Sequence, residues 1–109
     1  MGSKISTLND WNFDAEVIAA DVPVVVIFGT DSDDATFELG QMVAQLTGEK
    51  AAQIKVAEFP IAEDGTTWRE YNVRQVPTAI VFRDGTETAS FAGAQDRSFL
   101  DSFLTRHAS

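Results

Sequence analysis

The residues of this chain that could do chemistry lie close together in one acidic stretch. It supplies carboxylates and hydroxyl groups at Asp31, Ser32, Asp33, Asp34, Thr36 and Glu38. Oxygen ligands of this kind can hold Ca²⁺ or Mg²⁺, although the spacing does not match the EF-hand loop, which needs a glycine at its sixth position. Helix capping combined with a solvated acidic surface is the simpler interpretation. A divalent-metal site at this turn remains open as an alternative.

Other catalytic chemistry has little support in the sequence. The chain contains no cysteine, which excludes disulfides, thiolate metal sites and thiol redox chemistry. No nucleophile–histidine arrangement can be built around His107, the only histidine, which is expected at the end of a helix. Trp11 and Trp68 are expected to pack in or beside the core rather than to stack on a ligand. We therefore expect neither a cofactor nor an enzymatic activity.

The acidic stretch follows the most apolar segment of the chain. The run from Val24 to Phe28 is apolar throughout, as expected of a strand that is buried on both faces. Asp33 or Asp34 can then accept the free amide hydrogens at the start of a helix. This helix should end near Gly48, and its apolar stripe is predicted at Phe37, Leu39, Met42, Val43 and Leu46. The candidate residues therefore lie where a buried strand turns into a helix.

The segments on either side predict further strands that alternate with helices. Before the central strand, we expect a short edge strand from Lys4 to Leu8 and a helix that Asn9 or Asp10 caps. The apolar stripe of that helix consists of Phe13, Val17, Ile18 and Ala20. Alternating apolar residues predict a later strand from Gln53 to Ile61, which should end at Pro60 because proline cannot donate to a ladder.

The last part of the chain predicts a short helix, a hairpin and a final helix. Glu63 to Thr66 is expected to form a turn and cap before the short helix. Asp84-Gly85 predicts a hairpin turn, because these two residues tolerate positive φ angles. Asp96 or Ser98 should open the last helix, whose apolar face holds Phe99, Leu100, Phe103 and Leu104.

The predicted order of elements is β-α-β-α-β-α-β-β-α. Strands that alternate with helices imply parallel pairing with helices on both faces, whereas the late hairpin adds antiparallel strands. The sequence therefore predicts one three-layer α/β domain over residues 1–109 with a mixed central sheet. Met1-Gly2-Ser3 is consistent with a scar left by an expression vector.

The balance of charge limits the partners. The formal net charge is −9, which argues against nucleic acid, because phosphates must be neutralised by clustered lysine and arginine. No basic residue occurs between Lys4 and Lys50, so this part of the chain presents either a solvated acidic face or a docking surface for a basic partner. No apolar run approaches the roughly 20 residues of a membrane span. We expect a cytoplasmic monomer that does not bind membranes.

The chain resembles thioredoxin along essentially its whole length. Five segments carry the resemblance in the family's order: Phe13 with Val17, Asp21 to Phe28, Tyr71 to Thr78, Val81 to Gly85, and Phe91 to Ala94. Each segment alone is a weak match, but the ordered set over a matched length implies the thioredoxin-like fold. In this resemblance, the family's Cys-x-x-Cys motif falls on Asp33-Asp34-Ala35-Thr36.

The resemblance implies that the family's redox chemistry has been removed. Asp33 stands at the attacking cysteine and Thr36 at the resolving cysteine, and neither side chain can exchange disulfides. Ile27 stands at the buried aspartate that helps proton transfer, and Glu58 stands at the lysine across from it. Further family positions, two tryptophans and two prolines, are replaced here by Gly29, Ser32, Ala35 and Gln41. The nucleophile, its partner thiol and the proton relay are therefore all absent.

The loop that holds the family's cis-proline is retained at Val76-Pro77. In the resemblance, this loop offers backbone hydrogen bonds to an extended peptide that lies across the active-site surface. The binding surface expected on this basis consists of Ser32, Asp33, Asp34, Ala35, Thr36, Val76, Pro77, Gly93 and Ala94. The alternative is a purely structural role for these residues. Pro77 would then serve the geometry of the fold, and Gly93 would allow a close approach of the backbone.

Three hypotheses about function follow. The first is a redox-inactive module of the interaction, chaperone or assembly type, which binds a protein or an extended peptide, with a basic partner favoured by the acidic residues. The second is an enzyme of another class that uses a divalent ion at the acidic turn. The third is an engineered or orphaned scaffold without a partner, suggested by the absence of cysteine and by the Met-Gly-Ser start.

Overall fold

The computed structural model describes residues 5–30, 33–49, 53–62 and 65–108. Their strands form one five-stranded sheet in the order β1-β3-β2-β4-β5. The strands are β1 (Ile5–Thr7), β2 (Val24–Gly29), β3 (Lys55–Pro60), β4 (Thr78–Arg83) and β5 (Thr86–Ala92). The pairs β1–β3 and β3–β2 are parallel, whereas β2–β4 and β4–β5 are antiparallel. The predicted mixed sheet is confirmed.

Helices cover both faces of this sheet. They are a π-helix (Asp14–Ile18), α1 (Asp34–Gly48), α2 (Thr67–Glu70) and α3 (Arg97–His107). One apolar cluster packs α1 and α3 against the sheet, and a second packs the π-helix and the α2 region against the other face. The three-layer α/β architecture and the predicted order of elements are confirmed. No helix in the described ranges is both long and apolar enough to cross a bilayer.

The central strand β2 contributes to both clusters. Val25 and Ile27 belong to the cluster with α1 and α3, whereas Val24, Val26 and Phe28 belong to the opposite one. All residues of β2 are buried. This is the reason that the strand reads as an unbroken apolar run, since alternate side chains enter two different cores.

Local signals in the sequence set the ends of several elements. Asp96 caps α3 by accepting a hydrogen bond from the Phe99 amide at 2.8 Å. Asp84 and Gly85 turn the hairpin with φ angles of 54° and 78°, as a tight turn between antiparallel strands requires. Pro60 ends β3. These three predictions are confirmed.

The first helix differs from its prediction in type and length. The Asn9 side chain accepts hydrogen bonds from the amides of Trp11 and Asn12 at 2.8 and 2.9 Å. These bonds hold a turn, and the π-helix begins only at Asp14. Asn9 is therefore the capping residue of this segment, and Asp10 points elsewhere.

Two aromatic residues predicted to pack in the interior are exposed. Phe37 is 64% exposed, because the face of α1 that meets the sheet carries small residues such as Thr36 and Gly40, and the adjacent position points away from it. Trp11 is 95% exposed in the turn before the π-helix, where Phe13 takes the core position instead. Trp68 is half-buried, as predicted, and donates its indole N–H to the Ala62 carbonyl at 3.0 Å.

The start of α2 is capped from a distant part of the chain. Thr66, in the predicted capping turn, makes no side-chain cap, while Glu63 and Asp64 lie outside the described residues. The amides of Thr66 and Thr67 instead donate to the Asp10 carboxylate, each at 3.1 Å. The hydrogen bonds from Thr67, its backbone amide first, hold the pKa of Asp10 below its ordinary value of 3.8. Asp10 thus ties the turn after β1 to the start of α2.

This cap predicts a pH-dependent part of the stability. Because the pKa of Asp10 is lower in the folded state, its stabilisation is present above the unfolded value and is lost as the pH falls through the folded value. Asp10→Asn should therefore lower the free energy of unfolding near neutral pH, and the difference from wild type should shrink below about pH 4. Urea unfolding of both proteins across this range measures the difference. A difference that stays constant with pH would contradict the assignment.

Candidate functional site

The predicted binding residues lie at one end of the central strands. Phe28, near the end of β2, pairs with Thr78 at the start of β4. Thr78 in turn pairs with Ala92 at the end of β5. The turn before α1, the loop before β4 and the loop after β5 therefore meet at the same end of the sheet. We call this surface the strand-end face: Asp33, Asp34, Ala35, Thr36, Val76, Pro77, Gly93 and Ala94. Ser32 belongs to the same prediction but lies outside the described residues.

Asp33 and Thr36 are joined by hydrogen bonds. The Thr36 hydroxyl donates to the Asp33 carboxylate at 2.6 Å, and the Thr36 amide donates to the same oxygen at 3.1 Å. Asp33 has the extended backbone of an N-cap residue, with φ −94° and ψ 114°. The predicted cap of α1 is therefore Asp33. The positions at which the resemblance places two cysteines carry a helix cap and its hydroxyl partner.

Gly29 makes room for Thr36, which is only 5% exposed. A Cβ atom added at Gly29 would overlap the Thr36 side chain, which occupies that space. Ile27 and Glu58 are register partners in β2 and β3, and with Thr36 they line a cavity of about 10 Å³. Such a cavity holds at most one water molecule. The positions at which the resemblance places the buried aspartate, the lysine and the resolving cysteine do converge, but they carry Ile27, Glu58 and Thr36.

The two acidic residues of the turn have different surroundings. Asp33 is half-buried and engaged with Thr36. Asp34 is exposed in the first turn of α1, where the helix dipole favours negative charge. Asp34 can therefore form an ion pair with a partner while Asp33 continues to cap α1.

The other half of the strand-end face is a pair of joined loops. The Val76–Pro77 peptide bond is cis, and the Gly93 amide donates to the Pro77 carbonyl at 2.8 Å. Gly93 has a φ of +82°, in the region that favours glycine. Pro77 is buried, whereas Val76 is 37% exposed and Ala94 is also exposed. The loops thus present Val76 and Ala94 to the outside.

Metal binding has no structural support in the described residues. No group of three or more histidine, aspartate or glutamate side chains is placed there to hold an ion. Asp31, part of the acidic stretch, lies outside those residues. His107 ends α3, as predicted, with its ring 4.9 Å from the Phe103 ring.

Comparison with known proteins agrees with this architecture. The family model described as thioredoxin matches residues 4–106. The chain belongs to the thioredoxin family. It is 29% identical over 107 residues to thioredoxin C-2 of Corynebacterium nephridii, which covers 98% of this chain and 99% of that protein. It is 30% identical over 106 residues to the thioredoxin of Porphyra purpurea, with 97% and 99% covered, and 23% identical over 105 residues to the thioredoxin of Haemophilus influenzae, with 96% and 98% covered.

Membership of this family makes the absence of cysteine informative. The chain contains no cysteine at any position, so it has no thiolate to attack a disulfide and none to resolve a mixed disulfide. The match extends over nearly the whole chain, which means that the fold of the family is retained without the thiols.

Two features of the strand-end face were missed from the sequence. The first is the bond from the Thr36 hydroxyl to Asp33; Thr36 stands three positions after Asp33, where an N-cap side chain accepts from the backbone amide, so the spacing was a signal that could have been used. The fit between Gly29 and Thr36 left none, because it depends on how closely α1 approaches the end of β2.

Proposed function

We propose that this protein is a redox-inactive interaction module that binds a segment of a partner protein at the strand-end face. The observation that carries the proposal is the hydrogen-bonded pair of Asp33 and Thr36. The positions of the family's dithiol now stabilise the start of α1, while the Val76-Pro77 loop beside them still presents exposed groups. The strand-end face therefore lacks the groups for thiol chemistry but offers exposed side chains to a partner.

The proposed mode of binding is the one that the resemblance implies for the loop at Val76-Pro77. A partner segment in extended conformation can pair with exposed backbone beside β4 and β5, as in strand addition. The exposed side chain of Val76 offers an apolar contact, and Asp34 offers a charge to lysine or arginine. The net charge of −9 speeds the encounter with a basic partner. We place the protein in the cytoplasm as a monomer with a chaperone or assembly role.

The test compares charge reversal at two exposed carboxylates. Asp34→Lys alters the strand-end face and leaves the Asp33 cap intact. Glu87→Lys makes the same change on β5, near the hairpin at the opposite end of the sheet. A partner is first captured from source lysate with the wild-type protein, and its affinity for the purified variants is then measured. We expect Asp34→Lys to weaken binding about tenfold and Glu87→Lys to change it by less than about twofold.

Two outcomes would contradict the proposal. Equal weakening by the two substitutions would mean that only the overall charge attracts the partner. If neither Asp34→Lys nor Val76→Ser changes the affinity for the partner, the partner binds elsewhere on the protein.

A further inference from the structure

Phe37 is a large aromatic residue on the side of α1 that points away from the sheet. Its ring lies on the outer side of α1 and is 64% exposed. No ring pair among the described residues includes it. Phe99 is 40% exposed, yet its ring lies 5.3 Å from Phe91 and 6.0 Å from Phe103. Phe99 is thus part of an internal aromatic cluster, whereas the exposed ring of Phe37 has no aromatic neighbour among the described residues.

Phe37 borders a groove between α1 and the start of α3. The groove has a volume of about 320 Å³ and is lined by Phe37, Glu38, Gln41, Met42, Gln45 and Arg97. Phe37 and the half-buried Met42 supply its apolar surface. None of the lining residues belongs to the strand-end face. The groove is therefore a separate surface, although it begins next to that face on α1.

The charges around this groove favour a cation. Glu38 is an exposed carboxylate in its wall and does not belong to the strand-end face. Arg97 also lines the groove, but its guanidinium lies 3.2 and 3.3 Å from the two carboxylate oxygens of Glu49. The positive charge at the far wall is thus paired, and the charge beside Phe37 is negative.

We infer that this groove docks a short cationic segment of a partner protein. The segment places an apolar side chain against Phe37 and Met42 and a lysine or arginine beside Glu38. From Phe37 to Gln45, α1 rises about 12 Å, so about two turns of a partner helix cover the groove in the helix-in-groove mode. A second copy of this chain is a poorer occupant, since two chains of charge −9 repel each other. This inference goes beyond the proposed function and does not require the strand-end face to bind.

The test uses a fluorescein-labelled amphipathic peptide of lysine and leucine, and a second peptide in which alanine replaces each leucine. Fluorescence anisotropy gives the dissociation constant of each peptide. Phe37→Ser should weaken the leucine peptide about tenfold and abolish the preference for leucine over alanine. Trp11→Ser is the matched control, because it removes an exposed aromatic side chain that does not line the groove. We expect it to change the affinity by less than about twofold.

The variant Val76→Ser separates this inference from the proposed function. If Val76→Ser weakens peptide binding and Phe37→Ser does not, the peptide binds at the strand-end face. This result would contradict docking in the groove and would agree with the proposed function. Equal affinity of the leucine and alanine peptides for the wild-type protein would show attraction by charge alone and would also overturn the inference. If the wild-type protein sediments as a dimer and the Phe37→Ser variant sediments as a monomer, the groove binds a second copy of the chain instead, which would also contradict the inference.

Discussion

Phe28→Ala is expected to lower the free energy of unfolding by about 3–5 kcal/mol. Phe28 is fully buried in β2, and its ring stacks on the Phe59 ring with 5.2 Å between the centroids. Since β2 is covered on both faces, the cavity left by the ring cannot open to solvent, and the strand cannot shift without disturbing both clusters. Ile27→Ala on the opposite face should lower it by about 2–5 kcal/mol for the same reason. Urea unfolding followed by circular dichroism measures both losses.

The matched control for this prediction is Phe37→Ala. It is the same chemical change at a ring that is mostly exposed, so we expect the free energy of unfolding to change by less than about 0.5 kcal/mol. Similar losses for the two phenylalanine variants would contradict the exposed position of Phe37, and with it the groove proposed for a cationic partner.

Gly29→Ala is expected to lower the free energy of unfolding by about 1–3 kcal/mol, the usual range for overpacking. The added methyl group would overlap the side chain of Thr36, which is buried and hydrogen-bonded to Asp33. Thr36→Ala alone removes that hydrogen bond, with an expected loss of about 0.5–1.5 kcal/mol. It also removes two of the three Thr36 atoms that the added methyl group would meet, the hydroxyl oxygen and the Cγ2 methyl, and leaves only the Cβ in place.

The double variant therefore isolates the fit between these two residues. We expect Gly29→Ala with Thr36→Ala to lose at least about 1 kcal/mol less than the sum of the single losses. This coupling is measured from four urea unfolding curves under the same conditions. Additive losses would mean that Gly29 and Thr36 do not constrain each other, and that the turn before α1 is not packed around Thr36.

Much of the fold could be predicted from the sequence because its signals are local. The apolar run from Val24 to Phe28, the Asp84-Gly85 turn and the Asp96 cap each depend on a few neighbouring residues. The five segments shared with thioredoxin then placed these elements in order. Contacts between distant segments could not be predicted in this way. Asn9 caps its own segment, whereas the carboxylate of the adjacent Asp10 accepts hydrogen bonds from the distant amides of Thr66 and Thr67.

Phe37 shows why helical spacing alone misplaces a side chain. It fits the apolar stripe of α1 by composition, but the sheet-facing side is occupied by smaller residues such as Thr36 and Gly40, which let the helix lie close to β2. The rest of the predicted stripe holds, since Leu39, Val43 and Leu46 are buried in the cluster against the sheet and Met42 packs beside it, so only its first residue is misplaced. The candidate site shows the same limit, since the residue types of Asp33 and Asp34 are identical and only the structure separates the capping carboxylate from the exposed one.

Photo-crosslinking from Ala94 tests the interaction role most directly. A benzoylphenylalanine residue at this exposed position lies on the strand-end face, and the same residue at exposed Thr86 lies beside the hairpin at the opposite end of the sheet. Irradiation of source lysate should give one specific adduct of defined mass from position 94 and none from position 86. The same adduct from both positions, or an adduct from position 86 alone, would contradict a partner-binding role for this face.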